Sequence, residues 1–190
     1  PAIVNGVYQI TSGSELAWLA DTVNKADSGA KFYAELTDDI DLGGEKPFTP
    51  IGTFGYSSSD KSFSGSFNGN GHTVKGLNVN AQYAGLFGSI KDAKIKNVIV
   101  QGTVTAAGSN SYAAGIAAVA KGSSNSITGC GNETTVSSDY YAAGILGSNS
   151  NSSTMTPITG CYNSGSVSGK SRAAGILAYD NGEANISDCY

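Results

Sequence analysis

The chain has 190 residues, enough for one domain or one solenoid segment with a continuous core. Charged residues make up 14%, and the formal net charge is -4 with no local basic cluster to offset it. That balance argues against nucleic acid or an anionic membrane as the main partner. The 26 glycines disfavour a mainly helical fold, because glycine loses the most backbone entropy on ordering.

The chain opens with a short strand ending at Ile10, followed by one helix. Ser12 and Glu15 have capping-box spacing, with Ser14 a rival N-cap. Leu16, Leu19, Ala20 and Val23 fall at i, i+3, i+4 and i+7 and form one apolar face, with Trp18 at its margin. A lone amphipathic helix ahead of a strand-rich chain is the expected shape of an end cap, covering an otherwise open sheet edge. No run approaches the roughly 18 apolar residues of a membrane span. The start at Pro1, without Met or a signal peptide, reads as a mature chain or an excised piece.

Alternation in Phe32, Ala34 and Leu36, then Ile40 and Leu42, predicts the next strands. Turn signals follow at Gly55 and in the Asn68–Gly71 run. Tyr56–Lys61 reads as a polar loop and a mobile tip. Val74, Leu77 and Val79 form another apolar strand set.

From Gln82 a repeat becomes plain. Gly85, Gly115, Gly144 and Gly175 are separated by 30, 29 and 31 residues, in YAGLFG, YAAGIAA, YAAGILG and RAAGILA. Ile95, Ile127, Ile158 and Ile186 share that period. Each is followed by Val98, Cys130, Cys161 or Cys189, and Val104, Val136 and Val167 form a further column. Columns that hold register over such a period indicate stacked supersecondary units. Residues 163, 165 and 167 share a side with Cys161, which predicts an inward column of Cys, Asn and Val. The odd step from Ile158 to Cys161 predicts a corner between them. Each unit then supplies about three short strands, and the fold class is all-β: a parallel β-helix with a short N-terminal capping helix. Residues 1–31 are its strand and cap, 32–80 its irregular first rungs, and 81–190 its regular repeats. Insertions concentrate between the glycine and isoleucine columns, placing variable loops on one edge of the solenoid. The array stops before its next Asn and Val, so another rung or domain is expected to cover that end.

The residues of YAGLFGSI (Tyr83–Ile90), FSGSFNGNGHTVKGLNV (Phe63–Val79) and DIDLGG with FTPIG resemble bacterial surface proteins carrying the GLUG motif. That motif occurs in adhesin-like proteins and in non-catalytic regions of immunoglobulin A proteases. The resemblance covers nearly the whole chain. It implies a right-handed parallel β-helix in a secreted or wall-attached multidomain protein of bacteria. The family's protease activity belongs to a zinc domain with an H-E-x-x-H helix, and this chain has one His and no such motif.

Chemistry-bearing clusters are sparse. Asp38, Asp39 and Asp41 suggest either a carbohydrate-active β-helix enzyme, with or without a bound cation, or an acidic turn at a strand end. The turn is favoured, since no carboxylate recurs on a neighbouring rung to complete a glycosidase pair. His72 has no partner set for a triad or a metal site, and Gly69, Gly71 and Gly76 lack the residues of a phosphate loop. The odd number of cysteines, at repeat spacing, reads as buried free thiols. Asn132 and Asn163 read as an asparagine ladder. Tyr83, Tyr112, Tyr141 and Arg172 form a column of residue types enriched at binding hot spots and able to stack on sugar rings. Phe87, Ala117, Leu146 and Leu177 form an apolar column out of phase with Leu86, Ile116, Ile145 and Ile176. One of the two columns lies on the surface as an interaction stripe, or the strand that carries the repeat's glycine sits at a corner and both are buried. The expected function is a non-enzymatic surface module, without cofactor or metal, that presents Tyr83, Tyr112, Tyr141, Arg172, Phe87, Leu146 and Leu177 to a host extracellular protein, with immunoglobulin one candidate, or to a glycan. The alternatives are the carbohydrate-active enzyme and a passive spacer.

Overall fold

The computed structural model describes residues 1–150 and 155–190 and is a parallel β-solenoid of about five turns with one helix. Three faces run along its axis. The long face stacks Val7–Ile10, Lys31–Leu36, Phe63–Asn68, Phe87–Lys96, Ala117–Lys121, Leu146–Asn149 and Leu177–Asp180. The second face stacks Ile40–Asp41, Thr73–Asn80, Ile99–Ala106 and Gly131–Ser138, with Tyr162–Asn163 and Val167–Gly169 on the last of these. The short face stacks Tyr83–Ala84, Tyr112–Ala114, Tyr141–Ala143 and Arg172–Ala174.

The columns read from the sequence pair as expected. Ile95, Ile127, Ile158 and Ile186 are consecutive partners on the long face, and Val104, Val136 and Val167 on the second. The corner between Ile158 and Cys161 is present, and its column holds Asn97, Gly129, Gly160 and Asp188, all with φ between 53° and 62°. Gly and, less readily, Asn and Asp tolerate this left-handed conformation, which is why the column is confined to those three types. Cys130, Asn132, Thr134 and Val136 point inward and are fully buried. Asn132 Nδ2 donates to Asn163 Oδ1 at 2.7 Å, so each amide satisfies the next. The three cysteines are free, with Cys130 and Cys161 buried. Burial pushes the Cys130 thiol well above its ordinary pKa, so it behaves as a small apolar group.

The helix Gly13–Lys25 replaces a second-face strand in the first turn. Its N-cap is Ser12, whose hydroxyl accepts from the Glu15 amide at 3.4 Å. The Glu15 carboxylate reaches back one residue further than a capping box, to the amide and hydroxyl of Thr11. Leu16, Leu19, Ala20 and Val23 are buried in the common core, and the helix start abuts Asp41 and Leu42. The Asn24 amide donates to the Pro50 carbonyl, at 3.0 Å. The helix therefore closes the solenoid as expected. Ahead of it, Ala2–Val4 pairs antiparallel with Val7–Ile10 through an Asn5-Gly6 turn, both residues at positive φ. That hairpin signal is present in the sequence, where only one strand was expected.

Of the two readings of the glycine-centred run, the corner is the one present: at Tyr112–Gly115–Ala117 and its equivalents the chain bends at the glycine, from the short face to the long face. The glycine is required by a close approach, since a Cβ on Gly115 would stand 2.0 Å from Asn132 Oδ1 and one on Gly144 2.2 Å from the Gly175 carbonyl oxygen. At that bend both apolar columns turn inward. Leu86, Phe87, Ile116, Ala117, Ile145 and Leu146 are all fully buried, and Ile176 and Leu177 of the last turn pack partly buried on the same core. The insertions fall between the glycine and isoleucine columns, as expected, at the point where Asp92 and Gly122 take positive φ. Phe87–Lys96 is continuous, whereas later turns divide the same path into Ala117–Lys121 with Ser126–Thr128, Leu146–Asn149 with Met155–Thr159, and Leu177–Asp180 with Glu183–Ser187. Part of the polar loop that lengthens the Gly144–Ile158 unit lies outside the described residues.

Candidate functional site: an aromatic edge and its cleft

Stacking of the short face places Tyr83, Tyr112 and Tyr141 on consecutive rungs in direct register, with Arg172 next. Parallel strands lie about 4.8 Å apart, close to the separation of contacting rings, so identical residues in register form a ladder. The ring centroids of Tyr83 and Tyr112 are 5.7 Å apart, and those of Tyr112 and Tyr141 5.4 Å apart and nearly coplanar in tilt, at 10°. The Arg172 guanidinium lies 5.0 Å from the Tyr141 ring centroid, a cation–π contact.

The ladder is longer than the sequence column. At its C-terminal end Tyr140 stacks on Tyr141 at 4.0 Å, Tyr179 stacks on Tyr141 at 5.1 Å, and Arg172 covers Tyr179 at 4.9 Å. At its other end Phe54 packs 4.9 Å from Tyr83, with Tyr56 edge-on to Phe54 at 5.4 Å. Tyr140 adjoins the column in sequence and could have been read with it. Tyr179 sits in the long-face position occupied by Ser148 one rung earlier, and Phe54 and Tyr56 come from the irregular rungs, so no period marks them.

Exposure varies along the edge. Tyr141 is buried, Tyr83 and Tyr112 are half-buried, and Tyr56 and Arg172 are exposed. Phe87 and Leu146, expected as members of a surface stripe, are fully buried and contribute packing beneath this edge; Leu177 is partly buried. Burial raises the pKa of Tyr83 and Tyr112, and the hydrogen bond with Tyr140 does so first for Tyr141. The phenols are therefore neutral at physiological pH.

Between Phe54, Tyr56, Tyr83, Asn110, Tyr112, Lys121 and Ser150 lies an open cleft of about 570 Å³. A smaller depression of about 240 Å³ lies across Phe54 and Tyr83, against Thr49, Pro50 and Gln82. The wall that carries Tyr56 is held by Asp60. Asp60 is almost fully buried, accepts from the Ser62 hydroxyl at 2.5 Å, and pairs with Lys121 at 3.0 Å and Lys91 at 3.7 Å. Burial acts to raise its pKa, but the Ser62 hydrogen bond and the Lys121 ammonium outweigh that, and the net shift is downward. The segment expected as a mobile tip thus contains a short 3-10 turn, Ser57–Ser59, and an anchoring carboxylate.

The acidic cluster lies elsewhere and is occupied structurally. Asp39 accepts from the Thr73 amide and pairs with Lys75 and His72, Asp38 accepts from the Asp39 amide, and Asp41 accepts from the Gly43 amide. No carboxylate among the described residues lines the cleft. Among the described residues, no three His, Cys, Asp or Glu side chains cluster as a metal site.

No known protein family's sequence profile and no curated protein matches this chain. A solved structure from Bacteroides ovatus, provisionally named an immunoglobulin A1 protease, is similar at a TM-score of 0.62 and 17% identity. The match covers 96% of this chain and 74% of that one. The likeness is one of fold. No helix is long and apolar enough to cross a membrane among the described residues.

Proposed function

We propose that the chain is a non-enzymatic module of a secreted or wall-attached bacterial surface protein, and that its tyrosine-lined edge holds a host extracellular protein or glycan. The observation that carries this reading is the ladder from Tyr56 to Tyr179, in which aromatic rings and Arg172 line one side of the solenoid. Tyrosine and arginine bring large contact area at low conformational cost, and they dominate binding hot spots. The GLUG resemblance and the fold shared with a protein named for immunoglobulin A1 support the cell-surface context and make immunoglobulin a first partner to test. The Asp38, Asp39 and Asp41 carboxylates are engaged by backbone amides or by Lys75 and His72, which weakens the reading as a carbohydrate-active enzyme.

The test is capture from serum and mucosal secretions on the immobilised chain, beside a Tyr112→Ala/Arg172→Ala variant of equal thermal stability. Capture by the parent and at least tenfold weaker capture by the variant is the expected result. Equal capture by both would move the binding face elsewhere. A parent that captures nothing would favour the spacer reading.

A further inference from the structure

We infer that the cleft between Tyr56 and Tyr112 is a subsite for a neutral hexose unit of a glycan, and that the depression across Phe54 and Tyr83 receives the adjoining unit. This rests on the reading of the aromatic edge as a binding face and narrows it to one chemistry.

The first argument is charge. The cation of the cleft, Lys121, is already committed: its ammonium pairs with Asp60 at 3.0 Å, donates to the Gly55 carbonyl at 2.8 Å and lies 4.9 Å from the Phe54 ring centroid. Asp60 is shared with Lys91 at 3.7 Å, but Lys91 is not among the residues that line the cleft, and a carboxylate at 3.0 Å with a carbonyl at 2.8 Å cancels part of the attraction of Lys121 for a uronate, sialate or phosphate. The Tyr83 and Tyr112 phenols are neutral, and among the described residues no carboxylate lines the cleft.

The second argument is the pairing of surfaces. A hexopyranose presents a face of C–H groups and a rim of hydroxyls, and it binds where an aromatic face lies beside convergent hydrogen-bonding groups. Tyr56 is 78% exposed and meets Phe54 only edge-on, at 77°, so a ring face is free. Farther along the ladder, Tyr112, Tyr140 and Tyr179 each stack one face on Tyr141 at 5.4 Å or less. Tyr56 lines the cleft without a stacked neighbour. In the same lining, the Tyr83 and Tyr112 hydroxyls meet no protein partner among the described residues, and the exposed Asn110 amide adds both a donor and an acceptor.

The third argument is extent. A cleft of about 570 Å³ is within the range of small-ligand sites. The second depression of about 240 Å³ shares Phe54 and Tyr83 with it, so the same two rings separate and serve both. Two adjoining depressions divided by an aromatic wall fit consecutive units of an oligosaccharide better than a single compact ligand.

Calorimetric titration of the full chain with neutral gluco-, manno- and galacto-oligosaccharides of about six units, and with oligogalacturonate, tests the inference. At least one neutral series should bind, with oligogalacturonate weaker. Tyr56→Ala should weaken binding roughly tenfold, the order of one aromatic contact. Tyr83→Phe/Tyr112→Phe keeps the rings and ladder and should weaken binding by removing hydroxyls alone. Failure of every neutral series to bind, preference for oligogalacturonate, or unchanged affinity in Tyr56→Ala would each overturn it. If the neutral sugars fail while a captured protein still depends on Tyr112 and Arg172, the glycan subsite falls and the binding-face reading stands.

Discussion

At the scale of single residues, the molecule depends on polar or small groups placed where a hydrophobic count would not look. Gly144 supports Asn163 and the next turn: an added Cβ would lie 2.4 Å from Asn163 Oδ1 and 2.2 Å from the Gly175 carbonyl oxygen. Gly144→Ala should therefore cost about 2–3 kcal/mol in denaturant unfolding, as for overpacking against backbone. Cys161→Asp should be worse, because it places a carboxylate at a fully buried position; unfolding at the parent's midpoint would contradict the inward register. Asp60→Asn leaves Lys121 and Lys91 without their carboxylate, and part of that loss is recovered by water because both lysines are partly exposed. A loss of about 2–3 kcal/mol at pH 7 is expected. The native Asp60 carboxyl sits below the ordinary aspartate range, so its stabilisation is present above that range and lost as pH falls through the native value. The gap between parent and Asp60→Asn should accordingly shrink below about pH 4. A gap that widened in acid would contradict the assignment.

At the scale of elements, the helix cap and the repeat corners were the parts most readily read from sequence. Both have local signatures: Ser12 and Glu15 with an i, i+3, i+4, i+7 face, and the odd step from the isoleucine to the cysteine column, where the structure adds a column of Asn, Gly and Asp at positive φ. Ser12→Ala should cost about 1 kcal/mol, measured by thermal unfolding, with the loss confined to the cap in hydrogen exchange. The bend at Gly115 and its equivalents stayed one of two readings in the sequence, because period-two alternation cannot distinguish a straight strand from one that turns a corner after two inward residues. Leu146 and Ile145 are adjacent in sequence, and both are inside for that reason. The cleft escaped for a different reason. Phe54, Tyr56 and Asp60 lie in the irregular turns, and Lys121 reaches them from 66 positions away, beyond any repeat.

At the scale of the whole molecule, the solenoid converts a one-dimensional sequence period into a two-dimensional surface. Each face presents one column type: short polar side chains on the second face, where Thr103, Thr135 and Asn78 follow one another, and rings on the short face. The account's central claim is that the aromatic edge, not the polar faces, meets the partner. The most direct measurement places a photoreactive amino acid, one at a time, at Asn110 and Arg172 on the aromatic edge, at Thr103 on the second face and at Lys94 on the long face. Each chain is then exposed to secretions or glycan and irradiated. Crosslinks from Asn110 and Arg172, with none from Thr103 or Lys94, are the predicted result. Crosslinks confined to Thr103 or Lys94 would contradict it.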